Sequence, residues 1–259
     1  MTTKTSNKIS LYLFLTFALT YLFWGMDIAL SCAGRYEHPM YNIGIVFYII
    51  AACSPAITVY ILTRSGSAKN SVRRFFVSAF KFNAPVQEIL LLCIFTAIRF
   101  GIPCLFGEVS IIGSWKQVLV FTPVMLFFGG FEEVGWRGFL QPESEKKIGF
   151  AATALINWAI WLVWHIPLCF IKGTYQYSGS YLWFAVSLLG SAFSLAALKK
   201  AKGSTVPCII FHSFGNAVTS YGLSVDDGAG TVVSCCIQIT AAVLVAALCS
   251  RKGKPVSSQ

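Results

Sequence analysis

Apolar runs alternate with short polar or basic stretches along the whole chain. A helix needs roughly 20 residues to cross a bilayer, and eight runs approach or exceed that length. They predict spans at Ile9 to about Ala33, Ile43–Thr63, Val86–Phe106, Lys116–Leu140, Phe150–Ile171, Tyr181–Leu198, Val206–Leu223 and Thr231–Ser250. The runs are continuous rather than alternating, which argues against a transmembrane β-barrel. The first is too long for the apolar region of a signal peptide, so it reads as a span, with Asp27 at the interface near its far end. Between spans two and three, Arg64 to Lys81 interleaves basic residues with Phe75, Phe76 and Phe80, the pattern of an amphipathic helix on the membrane surface. Gln141-Pro142 is expected to end span four, since proline cannot continue the helical ladder. Glu143–Lys147 then reads as a charged loop, Lys199–Gly203 as a basic turn, and Asp226-Asp227 as part of a further loop.

Composition agrees with a membrane protein. Of the 259 residues 56% are hydrophobic and mean hydropathy is +0.69, above the roughly 45–50% apolar content of soluble domains. The net charge of +10 could suggest nucleic acid, but the positions of the charges exclude that reading. If the loops alternate from an internal N-terminus, fifteen Lys and Arg fall on the cytoplasmic side, three (Arg35, Lys116, Lys172) on the other, and two (Arg99, Arg137) within spans. That asymmetry follows the positive-inside rule and predicts an all-α polytopic membrane protein of eight helices with both termini cytoplasmic. The excess charge faces lipid headgroups, and no nucleic-acid partner is expected. The nine cysteines form no C-x-x-C pair and read as small buried residues. The organisation expected is an N-terminal set of spans over 1–115 with the basic segment 64–82, a core over 116–223, and a last span with a basic tail over 224–259.

Candidate chemistry concentrates on spans four, five and seven. Glu132, Glu133 and Arg137 lie in an apolar setting of a chain that is only 12% charged, and ionisable groups within a membrane mark functional sites by default. Glu133 and Arg137 are four apart, share a helix face and can pair. Glu132 is turned about 100° away and is left free to react. Glycines 129, 130, 135 and 138 would let neighbouring helices approach closely. His212 and Asn216 share a face of span seven, and His165 is the ionisable side chain well inside span five. Singly, each has a plainer reading: a structural ion pair, or polar groups that hold helices together. Jointly they suit hydrolysis, with a carboxylate to take a proton from water and imidazole or amide groups to donate to an oxyanion. Arg99, in the middle of span three, is expected to pair with a carboxylate or a backbone carbonyl; Glu88, eleven residues before it, need not be the partner. His38, beside Tyr36 and Glu37, reads as a surface residue of a loop.

At these residues the chain resembles the CAAX prenyl endopeptidase and bacteriocin-processing (Abi) intramembrane proteases. Glu132-Glu133-x-x-x-Arg137 matches the first motif of that family. Trp161-x-x-x-His165 matches the second, with Trp where the family usually has Phe, and His212-x-x-x-Asn216 matches the third. Order and spacing agree across 131–216. The resemblance implies an eight-helix membrane endopeptidase with a cavity open to the cytoplasm. Residues matching Glu132 and His165 would activate water, and those matching His212 and Asn216 would hold the oxyanion, with Glu133 and Arg137 supporting. It implies a membrane-associated peptide or protein substrate; eukaryotic members trim three residues from prenylated CAAX proteins, while prokaryotic members commonly have others, peptide precursors among them. Some relatives are non-catalytic scaffolds or bacteriocin-immunity proteins, which is the alternative function here. No cofactor is expected, although Glu132, His165 and His212 match a His₂Glu zinc set in residue type; no H-E-x-x-H helix accompanies them. An ion carrier is disfavoured by the lack of a broken-helix repeat pair. By these boundaries Glu132 and His212 lie about two turns from the cytoplasmic face and His165 nearly four.

Overall fold

The computed structural model describes residues 2–34, 43–64, 71–82 and 85–252. The loop carrying Arg35 and His38, Lys69, and the tail with Lys254 lie outside the described residues. The fold is helical, in the order α1 (Thr2–Cys32), α2 (Gly44–Ala52), α3 (Ser54–Arg64), α4 (Ser71–Ala79), α5 (Pro85–Leu105), α6 (Trp115–Phe121), α7 (Glu132–Gly135), α8 (Gln141–Ile148), α9 (Phe150–Trp164), α10 (Tyr175–Ser178), α11 (Tyr181–Lys202), α12 (Val206–Tyr221) and α13 (Ala229–Lys252). Among the described residues five helices are long and apolar enough to cross a membrane, or six if α2 and α3 form one bent span. The outer surface is itself apolar, with Phe14, Leu22, Leu90, Leu119, Leu182 and Leu244 exposed, as a bilayer-embedded surface requires. The chain is an integral, multi-pass, all-α membrane protein.

Several predicted runs are not single straight helices. The second bends by 58° between α2 and α3. The fourth is broken. Helix α6 starts at a capping box between Ser114 and Gln117 and ends before Pro123, which disfavours helix at the residue ahead of it. A 3₁₀ turn at Val124–Leu126 and the Gly129-Gly130 pair follow. The helix that then begins at Glu132 does not end at Pro142. It passes through a π-helical turn, Trp136–Leu140, into α8. That wider turn lies immediately before Pro142, where an ordinary α-turn would press the ring against the Gly138 carbonyl. Glu143–Lys147 is thus helical rather than a loop, and Lys199–Lys202 completes the last turn of α11.

At Gly149 the chain reverses with φ +75°, a conformation that a side chain would strain. Helix α9 runs back along α8. Glu132 lies 17 residues before this turn and His165 16 after it, about 24–26 Å along each arm at 1.5 Å per residue. The two therefore come level, which removes the depth mismatch that arose from ending the fourth span at Leu140. Trp24, Trp136 and Trp164 pack at ring separations of 4.6 and 5.9 Å and clamp α1 to this hairpin. Helix α13 lies along α11 and α5. A two-stranded antiparallel sheet, β1 (Val109–Ile111) with β2 (Leu223–Val225), pairs Val109 with Val225 and ties the loop after α5 to the one after α12. Asp27 is fully buried rather than interfacial. Of the cysteines, Cys208 and Cys235 are buried, while Cys32, Cys93, Cys104 and Cys236 are exposed. The expectation of a buried set fails because an apolar outer surface accepts a small thiol as readily as a core does.

Candidate active site

The broken fourth run places two carboxylates at the start of a helix. The backbone N–H groups of Glu132 and Glu133 donate back to Gly129 and Gly130 carbonyls at 3.0 and 3.2 Å. Both side chains are buried, Glu132 at 4% exposure. Glu133 pairs with Arg137 as the four-residue spacing predicts, Nε to Oε2 at 3.0 Å. Its second oxygen, Oε1, meets His212 Nδ1 at 2.9 Å. One carboxylate thus joins the first motif to α12. A buried pair of this kind fixes geometry more dependably than it adds stability.

Glu132 is not an orphan. Its Oε2 accepts the indole N–H of Trp161 at 2.9 Å, a donor that a phenylalanine there would lack. The Trp161 ring also lies 5.3 Å from the His212 ring and 5.6 Å from that of His165, and the Arg137 guanidinium sits 5.6 Å above it. Trp161 is the hub around which the other groups are arranged, and the Trp-for-Phe departure was its signal in the sequence. His165 closes α9, with Nδ1 2.8 Å from the Trp161 carbonyl. A carbonyl only accepts, so Nδ1 carries the proton and a neutral ring leaves Nε2 with its lone pair.

Close approach of backbone to side chain completes the arrangement. A methyl on Gly129 would lie 2.5 Å from Asn216 Nδ2 and 2.7 Å from His212 Nε2, so both nitrogens converge on the bare backbone of that glycine. Asn216 Nδ2 also donates to the Phe128 carbonyl at 3.1 Å. A methyl on Gly130 would strike Ser213, and one on Gly135 would strike Tyr12 and Pro55. The close packing expected at glycines 129, 130 and 135 is present. At Gly138 a methyl would lie 3.3 Å from the ring edge of Phe75, with Thr205 Oγ1 and the Glu133 carbonyl in ordinary contact at 3.8 and 3.9 Å.

Glu132, Trp161, His165, His212 and Asn216 all line one cavity of about 830 Å³, within the usual size of ligand pockets. The sequence-predicted set is thus brought to one place, with Glu133 and Arg137 behind it. Arg99 lines the same cavity. Contrary to expectation it makes no ion pair and no side-chain hydrogen bond among the described residues; its guanidinium rests over Phe100 and Phe211 at 5.1 and 5.5 Å. Its mid-span position flagged it in the sequence, but only the packing of α5 against α12 shows where it faces. At the loop-built margin Asp227 also lines the cavity, its carboxyl raised from the ordinary range by partial burial and then by the Asp226 carboxylate. Among the described residues no three His, Cys, Asp or Glu side chains are grouped to hold a metal ion.

Comparison with known proteins agrees with the motifs. Residues 114–218 match the family described as type II CAAX prenyl endopeptidase Rce1-like. The chain is 27% identical over 229 residues to CAAX prenyl protease 2 of Methanococcus maripaludis, covering 78% of this chain and 80% of that protein.

Proposed function

We propose that this chain, a membrane-embedded peptidase related to the CAAX prenyl endopeptidases, hydrolyses a peptide bond of a membrane-associated peptide, lipid-modified or precursor. The observation carrying this reading is the convergence of Glu132, His165, His212 and Asn216, from three segments of the chain, on one cavity. Water held between Glu132 and His165 loses a proton to the Glu132 carboxylate and attacks the scissile carbonyl carbon. The oxyanion forms over Gly129, where Asn216 Nδ2 and His212 Nε2 converge, and these groups stabilise it. His212 holds Nδ1 toward the Glu133 carboxylate, and it donates from Nε2 when its ring carries both protons. The intermediate collapses, the C–N bond breaks, and the proton on Glu132 passes to the leaving amine. Glu133 and Arg137 hold His212 and the helix start in register. No metal is assigned to the reaction.

The proposed topology keeps eight crossings and cytoplasmic termini, counting the broken segment 115–148 and the 16-residue α12 as crossings. The fifteen-to-three distribution of basic residues supports it. Residues 116–223 form the proposed catalytic core, flanked by 1–115 and 224–259. The test compares peptides released and C-termini created in cells carrying the wild type or Glu132→Ala at equal membrane abundance. New termini that depend on Glu132 are expected and would identify the substrate. An unchanged set of termini, with both proteins folded, would move the assignment to a non-catalytic membrane scaffold.

A further inference from the structure

Arg99 is costly where it stands. A guanidinium in the middle of a membrane helix normally finds a carboxylate or a run of carbonyls, and here it has two aromatic faces and a cavity wall. Among the lining residues it is the sole lysine or arginine; the other charged side chains are Glu132 and Asp227. Its position relative to the proposed chemistry is defined by α12. A methyl on Gly215 would lie 2.6 Å from Arg99 Nη1, and Gly215 immediately precedes Asn216. The guanidinium therefore lies within a few residues' length of the oxyanion corner, at about 3.3–3.6 Å per residue of extended peptide. The guanidinium rests over the Phe100 and Phe211 rings and makes no side-chain hydrogen bond among the described residues, so its donors can serve a planar anion such as a carboxylate, which arginine grips with two parallel bonds.

We propose that Arg99 is the anion subsite of this cavity, taking the C-terminal carboxylate of the peptide being cut. The inference rests on the endopeptidase reading and adds to it the residue that holds the chain end: the distance from Arg99 to Asn216 sets how many residues leave. A terminal carboxylate fits better than a lipid phosphate because the guanidinium shares its enclosure with the groups that would act on the peptide bond.

The test uses the full chain in nanodiscs of phosphatidylcholine. The probe is a synthetic peptide with a lipidated cysteine followed by three apolar residues, made as the free acid and as the C-terminal amide. The ratio of kcat/KM for acid over amide is read in wild type, Arg99→Gln and Arg99→Lys. We expect a ratio of about 10 to 100 in wild type, from the loss of a charge-assisted hydrogen bond, a ratio near one in Arg99→Gln, and an intermediate one in Arg99→Lys. A wild-type ratio near one, or one unchanged by Arg99→Gln, overturns the proposal. Inhibition by added phosphatidylglycerol that disappears in Arg99→Gln, with no acid preference, would also overturn it and assign the site to a lipid phosphate. A second arm needs no cleavage. Thermal stability of Glu132→Gln protein is measured with the three-residue product peptide as acid and as amide, with and without Arg99→Gln. Stabilisation by the acid alone, lost on adding Arg99→Gln, supports the subsite even if the lipidated peptide is not cut. Equal shifts for acid and amide refute it while leaving Glu132-dependent cleavage as a separate result.

Discussion

Replacing Gly129 with alanine tests whether His212 and Asn216 serve the reaction together. The added methyl would lie 2.5 Å from Asn216 Nδ2 and 2.7 Å from His212 Nε2, whereas ordinary contact begins near 3.4 Å. Each nitrogen must therefore retreat by about 0.7–0.9 Å, or the backbone at Gly129 must move by a similar amount. Overpacking of this kind costs on the order of 1–3 kcal/mol of stability, and the φ of +156° at Gly129 adds strain for any side chain. The consequence for rate is larger, because a misplacement near 1 Å of groups that must meet a developing charge costs about 100-fold. The assay is steady-state cleavage of the lipidated peptide by purified protein in nanodiscs, with melting temperature measured in parallel. Gly101→Ala is the control, since a methyl there meets nothing within 4 Å. The expected result is a kcat lower by about two orders of magnitude with KM nearly unchanged. A folded Gly129→Ala protein with wild-type kcat would refute the assignment of the oxyanion to His212 and Asn216.

Two further outcomes follow from the same geometry. Trp161→Phe keeps an aromatic ring but removes the 2.9 Å donor to Glu132. We expect kcat/KM to fall about 10- to 100-fold with little change in melting temperature, read by the same cleavage assay; an unchanged rate would reduce Trp161 to packing. Purified protein should carry no stoichiometric metal and keep its activity in chelator. Elemental analysis checks this, and one zinc per chain in the wild type that is lost in His165→Ala would overturn the metal-free mechanism.

The parts legible in the sequence were those set by helical spacing. Glu133–Arg137 and His212–Asn216 each lie four apart, and i,i+4 neighbours share a face whatever surrounds them. Polar residues inside apolar runs were visible for the same reason: the background is so apolar that each one stands out. The break in the fourth run was harder to read, because an apolar stretch looks the same whether it is one helix or several. Pro123 and Gly129-Gly130 were its markers, and Pro142, which was expected to end the helix, sits inside it behind a π-turn. The partners of Glu132 and the facing of Arg99 depend on how α5, α9 and α12 pack. No local pattern encodes that. The β1–β2 pairing was likewise beyond reach, since three-residue strands more than a hundred positions apart carry no period of their own.

The reversal at Gly149 bears on how such a chain enters its membrane during synthesis. Between Glu132 and Arg137 the first arm of the hairpin carries two carboxylates and an arginine, which would each oppose partition into lipid if presented alone. Within the hairpin Arg137 already answers Glu133, and Trp161 already answers Glu132. The hairpin can thus be delivered to the bilayer with its costly groups matched, before α12 has been made. His212 then docks onto Glu133 as a later assembly step. A chain halted before α12 would hold a hairpin with both carboxylates partnered and no oxyanion donors: inserted, and without the means to cut.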